Sequence, residues 1–264
     1  MSICLITGDH PRHKFLVKNL CKTNKIIGWI IEKRESFIPI TPNYLSNDLE
    51  KLYKYHFKER ERIETEILNI KFKIPDLKTL IVKKKELNSK KTINFLKQVK
   101  PKLIISYGCA KISEKLRKAV KARFWNTHGG LSPDYRGVIT HFWPSYFLEP
   151  QMTGMTLHET TDILDGGGII LQTSSPMVRG DSIHRLAARN VETYANELIK
   201  KIKKINLEDI PVGTRQSSGG KLFKTADWRP EHLYVIYKLY NDKIVDLVID
   251  GIIKGRKPKL ISVL

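Results

Sequence analysis

Residues 102–107, KLIISY, form a continuous apolar run that ends against Gly108. A run without polar alternation suits a strand covered on both faces, as in a parallel sheet. Parallel neighbours need long crossovers, so strands must alternate with helices. The chain meets that demand. Residues 3–7, 28–32 and 80–82 read as strands, and helical spacing follows at Phe15, Leu16 and Leu20, then over 46–69 and 92–99. A helix over 114–120 leads into a strand over 122–125. The expected fold class is therefore α/β: a Rossmann-like, open, mostly parallel sheet with helices on both faces. The dinucleotide fingerprint G-x-G-x-x-G is absent from the first turn, which excludes that cofactor motif.

In such sheets ligands collect at the carboxyl ends of the strands. The strand over 122–125 delivers Asn126 and His128 to that edge, two residues apart and hence on one face. Gly129 and Gly130 then let the backbone turn and a ligand approach. An amide beside an imidazole is suited to holding an oxyanion and moving a proton, although such pairs more often satisfy local hydrogen bonds. The loop after residues 3–7 opens onto a helix N-terminus, where free N–H groups favour an anion and Arg12 and His13 add donors. An ordinary strand-to-helix turn fits the same residues. Gly108 is likewise compatible with a plain turn, and Asp165, in Asp-Gly-Gly-Gly, with a self-capping turn.

Residues 126–137 with Trp143 resemble the signature of the folate-dependent formyltransferases, Asn-x-His-Pro-Ser-Leu-Leu-Pro-x-Tyr-Arg-Gly followed by Trp. Asn126, His128, Leu131, Pro133, Tyr135, Arg136, Gly137 and Trp143 are in register, while Gly129, Gly130 and Ser132 depart from it. Thr156, His158, Asp165, Gly167 and Gln172 match the family's second signature, in the expected order. The resemblance covers residues 3–202 and is strongest over 126–172. It implies the formyltransferase fold, with Asn126, His128 and Asp165 as catalytic residues and 10-formyltetrahydrofolate as co-substrate. Tyr107, Gly108, Cys109, Ala110, Ile112, His158, Asp162 and Gly167 would hold the folate. Gly8, Asp9, His10, Arg12, His13, Tyr135, Arg136 and Trp143 would meet the amine substrate. Asp165 would orient His128 and raise its pKa by proximity.

Residues 1–202 then form the catalytic domain and 203–264 a short C-terminal extension, entered through a passage containing Pro211, Gly213, Ser217, Ser218, Gly219 and Gly220. The extension resembles the tail of nucleotide-sugar formyltransferases and lacks the larger C-terminal domain of methionyl-tRNA formyltransferases. The favoured acceptor is a nucleotide-linked amino sugar, such as a dTDP-4-amino-4,6-dideoxyhexose. Glycinamide ribonucleotide or methionyl-tRNA is the alternative acceptor, and a folate deformylase or a non-catalytic RNA-binding protein are rival readings.

The net charge of +20 raises the prospect of nucleic acid, but the lysines are spread along the chain among Ile and Asn rather than clustered, so a smaller anionic partner is favoured. Cys4, Cys21 and Cys109 are widely spaced in apolar surroundings and read as buried free thiols, with no metal site. The absence of a bilayer-length apolar run and of a signal-peptide pattern at residues 1–10 makes no membrane role and a cytoplasmic location the default. Residues 245–253 could pair two subunits as a homodimer. Further expectations are a strand ending at 178–180, Asp181 as N-cap of the next helix, His184 and Arg185 on its surface, and Asp227 as cap of a helix carrying Leu233, Ile236, Tyr237 and Tyr240. Tyr55, His56 and Arg60 are read as helix surface or packing rather than substrate contacts.

Overall fold

A computed structural model describes residues 2–68, 76–217 and 220–264. Strands β1 (Ile3–Gly8), β2 (Ile26–Lys33), β3 (Lys78–Lys83), β4 (Leu103–Tyr107) and β5 (Arg123–His128) run parallel in the order β3-β2-β1-β4-β5. Strand β6 (Tyr135–Gly137) leaves this sheet, and β7 (Met155–Glu159) and β8 (Ile169–Thr173) extend it antiparallel beyond β5. A separate parallel ribbon joins β6 to β9 (Lys221–Phe223). The expected α/β class, a mostly parallel sheet, is what forms.

Because side chains alternate along a strand, each central strand feeds two cores. Ile3 and Leu5 of β1 pack with Leu16, Val17 and Leu20 of helix α1 (Pro11–Cys21). The intervening Cys4 and Ile6 face the opposite cluster. Helix α2 (Asn47–Leu68) precedes β3, and α3 (Lys90–Val99) and α4 (Glu114–Ala119) flank β4 and supply Ile93, Leu96 and Leu116 to that second cluster. The short α5 (Trp143–Tyr146) follows β6. Helix α6 (Ile183–Lys204) returns to the first face through Val191, Tyr194, Leu198 and Ile202. The last helix is α7 (Ile244–Ile249).

The C-terminal extension is stitched to this framework. Thr214 exchanges two backbone hydrogen bonds with Ile169, and Gln172 N–H donates to Ile261 O at 2.7 Å along the outer edge of β8. Such pairing covers an otherwise open sheet edge. Asn69, Ser218 and Gly219, used above in placing the long helix and the linker, lie outside the described residues.

Five local expectations are corrected. No strand runs into 178–180: β8 stops at Thr173, Pro176 has no N–H to donate, and Val178 N–H turns back to Asp181 Oδ2 at 2.9 Å. Asp181 thus closes a turn, and Ser182 is the N-cap of α6, its hydroxyl accepting from Arg185 N–H at 3.1 Å. Asp227 accepts from Lys224 N–H at 2.6 Å within a 3-10 turn, and no regular α-helix carries Leu233, Ile236, Tyr237 and Tyr240. Pro230 forces Arg229 into an extended conformation, splitting the segment into a 3-10 turn, Pro230–His232, and a π-type turn, Val235–Leu239. His184 is buried rather than surface-exposed, because Tyr237 closes over it, with 3.3 Å between the hydroxyl and His184 Nε2. The three thiols are free, but only Cys4 is fully buried.

Candidate active site

Two polar rows cross the sheet where the apolar pattern lapses. Strand register sets Ser106 of β4, Asn126 of β5 and His158 of β7 side by side. One step along, His128, Thr156 and Gln172 form the second row. Ser106 Oγ donates to Asn126 Oδ1 at 2.8 Å, which turns the amide nitrogen toward His158 Nε2, 3.2 Å away. Thr156 hydroxyl donates to Gly130 O at 2.7 Å and accepts from Ser132 N–H at 3.1 Å, so the turn after β5 is held from β7. The Ser132–Pro133 peptide is cis.

Asp165 reaches both rows from the loop between β7 and β8. Its Oδ2 lies 3.4 Å from His128 Nδ1 and accepts from Gly137 N–H at 2.9 Å. Its Oδ1 lies 3.3 Å from His158 Nε2 and 3.4 Å from Asn126 Nδ2. The amide, imidazole and carboxylate expected to meet are therefore together, although the carboxylate is 39 residues from Asn126.

The protonation states follow from the outer contacts. His128 Nε2 is 2.7 Å from Tyr135 O and His158 Nδ1 is 2.8 Å from Glu159 O. A carbonyl only accepts, so each of these nitrogens carries a hydrogen. In the neutral rings the remaining nitrogens present lone pairs toward Asp165. Burial lowers the His128 pKa more than Asp165 raises it, reversing the direction expected from proximity alone. Burial also disfavours the Asp165 carboxylate, but the neighbouring His128 and His158 rings and the Gly137 N–H outweigh it and hold Asp165 at about 2. Between His128 Nδ1 and Asp165 Oδ2 two acceptors thus face each other at 3.4 Å, an arrangement ready to take a proton.

These groups line one end of a cavity of about 500 Å³ at the carboxyl edge of β1, β4 and β5. That edge is a topological switch point, since the strand order runs outward in opposite directions from β1 and β4. Of the residues singled out in the sequence, His10, Arg12, His13, Tyr107, Gly108, Cys109, Ala110, Ile112, Asn126, His128, His158 and Asp165 line it. Glu32, fully buried, accepts from Ala110 N–H at 2.9 Å and from Arg34 at 3.0 Å, fixing the loop after β4. Burial, with the Glu32 charge beside it, pushes the Cys109 thiol up to about 12.

Gly8, Asp9, Tyr135, Arg136, Trp143, Asp162 and Gly167 lie outside the cavity. Tyr135 stacks on Phe223 and donates its hydroxyl to Glu149 at 2.6 Å. Trp143 stacks on the same Phe223, with centroids 4.7 Å apart, and its indole N–H donates to Val138 O. Both are the apolar wall behind the site. The half-buried Arg136 guanidinium lies beside Gly166. Gly8 packs beneath His13, and Asp9 accepts from Arg34 N–H at 3.1 Å. Asp162 is exposed and paired with Arg117 at 2.8 Å, while Gly167 is pressed against Glu159 O, where a Cβ would clash at 1.8 Å.

The cavity also gathers residues that sequence reasoning left to packing or never raised. Arg34, Phe37, His56, Arg60 and His184 line its far end, and His141 lies beside Gly129. Arg12 pairs with Glu64 and Arg34 with Glu32. Arg60 sits over Phe37 and Phe57, at 4.2 and 5.0 Å from their centroids, and forms no ion pair among the described residues. Burial and the neighbouring Arg12 charge lower its pKa to about 10. The one available signal was Ser106, a hydroxyl inside an otherwise apolar strand. No group of three or more His, Cys, Asp or Glu among the described residues is placed to hold a metal, and no described helix is long and apolar enough to cross a membrane.

Comparison with known proteins agrees with this geometry. The chain is 36% identical over 115 residues to the bifunctional polymyxin resistance protein ArnA of Wigglesworthia glossinidia brevipalpis, covering 43% of this chain and 17% of that protein. It is 27% identical over 194 residues to the phosphoribosylglycinamide formyltransferase of Escherichia coli K12, covering 71% of this chain and 78% of that one. In structure it resembles the N-formyltransferase of Helicobacter canadensis solved with folinic acid and dTDP-3-aminofucose, with a TM-score of 0.53 and 18% identity over 87% of this chain and 73% of that one. The family model described as formyl transferase matches residues 47–202, more than half of the 264, and the chain belongs to that family.

Proposed function

We propose that this chain moves a formyl group from 10-formyltetrahydrofolate to the primary amine of a nucleotide-linked amino sugar, such as a dTDP-4-amino-4,6-dideoxyhexose. The observation that carries the reading is the convergence of Asn126, His128 and Asp165 at one end of a cavity whose other end is cationic. A folate fits the walls. Ile163 and Leu164 are 64% and 47% exposed although they line the cavity, and a flat heteroaromatic ring would cover them. The loop Tyr107, Gly108, Cys109, Ala110 and Ile112 would hold that ring beside them. The folate supplies the formyl carbon.

The amine nitrogen attacks that carbon, a C–N bond forms, and the carbonyl electron pair moves to oxygen. Asn126 Nδ2 donates to the new oxyanion, a contact whose loss costs about 3 kcal/mol of barrier. His128 Nδ1 takes the proton released by nitrogen and becomes the partner of Asp165. The same proton is then returned to the departing nitrogen as the old C–N bond breaks. Arg60, which lines the cavity and forms no ion pair among the described residues, meets the acceptor's phosphate.

A sugar acceptor is supported by the ligands of the Helicobacter canadensis neighbour. Glycinamide ribonucleotide is the second reading, favoured by the Escherichia coli relative. Incubating the protein with 10-formyltetrahydrofolate and a panel of amino-sugar nucleotides, glycinamide ribonucleotide and no acceptor separates these readings by mass spectrometry. A formyl unit should appear on a sugar amine. Formylation of the ribonucleotide alone, or formate release without acceptor, would replace the sugar reading.

A further inference from the structure

We infer that Gln216, in the C-terminal extension, is a positioning residue that sets the Asp165 carboxylate for formyl transfer. This rests on the reading of Asp165 as a member of the catalytic group. Asp165 occupies the left-handed region at φ +48, which a residue with a Cβ adopts only when its surroundings hold it there. Three glycines follow it, so the chain has little stiffness of its own at this point. The carboxylate's shortest contact is the 2.9 Å bond from Gly137 N–H, and its distances to His128, His158 and Asn126 are 3.3 to 3.4 Å. Small rotations of the backbone would therefore separate it from the groups it serves.

Gln216 spans this weak point. Its Nε2 donates to Asp165 O at 2.8 Å and to Gly167 O at 2.7 Å, using both amide hydrogens and clamping the chain on either side of Gly166. The clamp is itself anchored, because Thr214 is bonded to Ile169 in both directions. Gly213 lies so close to Gly168 that a Cβ there would fall 2.4 Å from its carbonyl. The family match ends at residue 202, so Gln216 lies beyond the matched segment. A side chain outside the shared catalytic unit thus fixes the backbone of a residue within it.

The test compares full-length wild type, Gln216→Met, Gln216→Glu, Asp165→Asn and, as the exposed neighbour, Arg215→Ala. Met keeps the length and loses both donors, whereas Glu turns an acceptor toward two carbonyls. Each folded variant is assayed for kcat, for both KM values and for the His128 titration by NMR. Gln216→Met should lower kcat about 10- to 100-fold, as expected for a reacting group displaced by an ångström or less. Both KM values should stay within about threefold, Gln216→Glu should lie lower still, and the His128 pKa should move in both. Arg215→Ala should match wild type. A Gln216→Met protein with lower Tm but wild-type kcat and wild-type His128 titration overturns the inference. If Asp165→Asn is also fully active, the reading of the site itself fails, and the two failures are told apart.

Discussion

At the Asp165 end of the cavity, one carboxylate is met by two imidazoles, an amide and a backbone N–H. At the Arg60 end three guanidiniums gather, and two of them are already paired with Glu32 and Glu64. The first end is assembled by strand register, with its polar rows laid out on β4, β5, β7 and β8 and only Asp165 brought in by a loop. The second is assembled by helix and loop packing, with Arg12 on α1, His56 and Arg60 on α2 and His184 on α6. Register fixes atoms to a few tenths of an ångström, as bond-making requires. Packed guanidiniums over aromatic faces give charge with looser geometry, which suits recognition of a phosphate.

If that division holds, substitutions at the two ends should separate in kinetics. The largest effect is expected for Asn126→Ala, with kcat lowered about 10²- to 10³-fold and little change in KM, measured under saturating co-substrate. Wild-type turnover would break the comparison at its first member. Arg60→Ala should instead raise KM for a phosphorylated acceptor about 10- to 100-fold and leave kcat within about threefold, as for loss of one charge-assisted hydrogen bond. An equal effect on an unphosphorylated amine would show that Arg60 acts by packing.

The pH dependence sharpens the same contrast. If neutral His128 accepts the proton as proposed, then, because burial lowers its pKa below 6.5, kcat/KM should be flat near neutrality and fall only as pH drops below that value. Asp165→Asn removes the neighbour that raises this pKa, and should carry the midpoint lower still. Elsewhere in the cavity, burial holds His56 at about 3, and with the Arg12 charge also His141, well below the ordinary imidazole value of about 6.5. The unfolded chain alone binds those protons between the two values. Stability is therefore full above about 6.5 and is lost as pH falls toward 3, a decline that thermal melts across that window should show. The smallest effect is expected for Tyr237→Phe, whose hydroxyl lies 2.8 Å from His56 Nδ1 and 3.3 Å from His184 Nε2. It should cost about 1 kcal/mol in chemical denaturation without altering kcat.

What could be read in the sequence follows the same line. The strand at 102–107 and the α6 stripe were legible because local periodicity reports burial directly. That Asn126, His128 and Asp165 come together was legible through their signatures. Periodicity does not say which distant segment supplies the partner. Tyr237 is 181 residues from His56, and Gln216 is 51 from Asp165, so neither contact leaves a local trace. Tyr135 and Trp143 were misplaced because a signature marks residues that travel with a site without separating its lining from the wall behind it. The strand expected at 178–180 and the helix expected after Asp227 failed where Pro176 and Pro230 interrupt the backbone pattern.

Of the eight histidines, His232 alone stands away from the cavity. The imidazole region of a proton spectrum is thus almost entirely a report from the cleft. Adding a folate or an acceptor in turn would shift different sets of those resonances, and the assigned set would map where each molecule sits without a label being introduced.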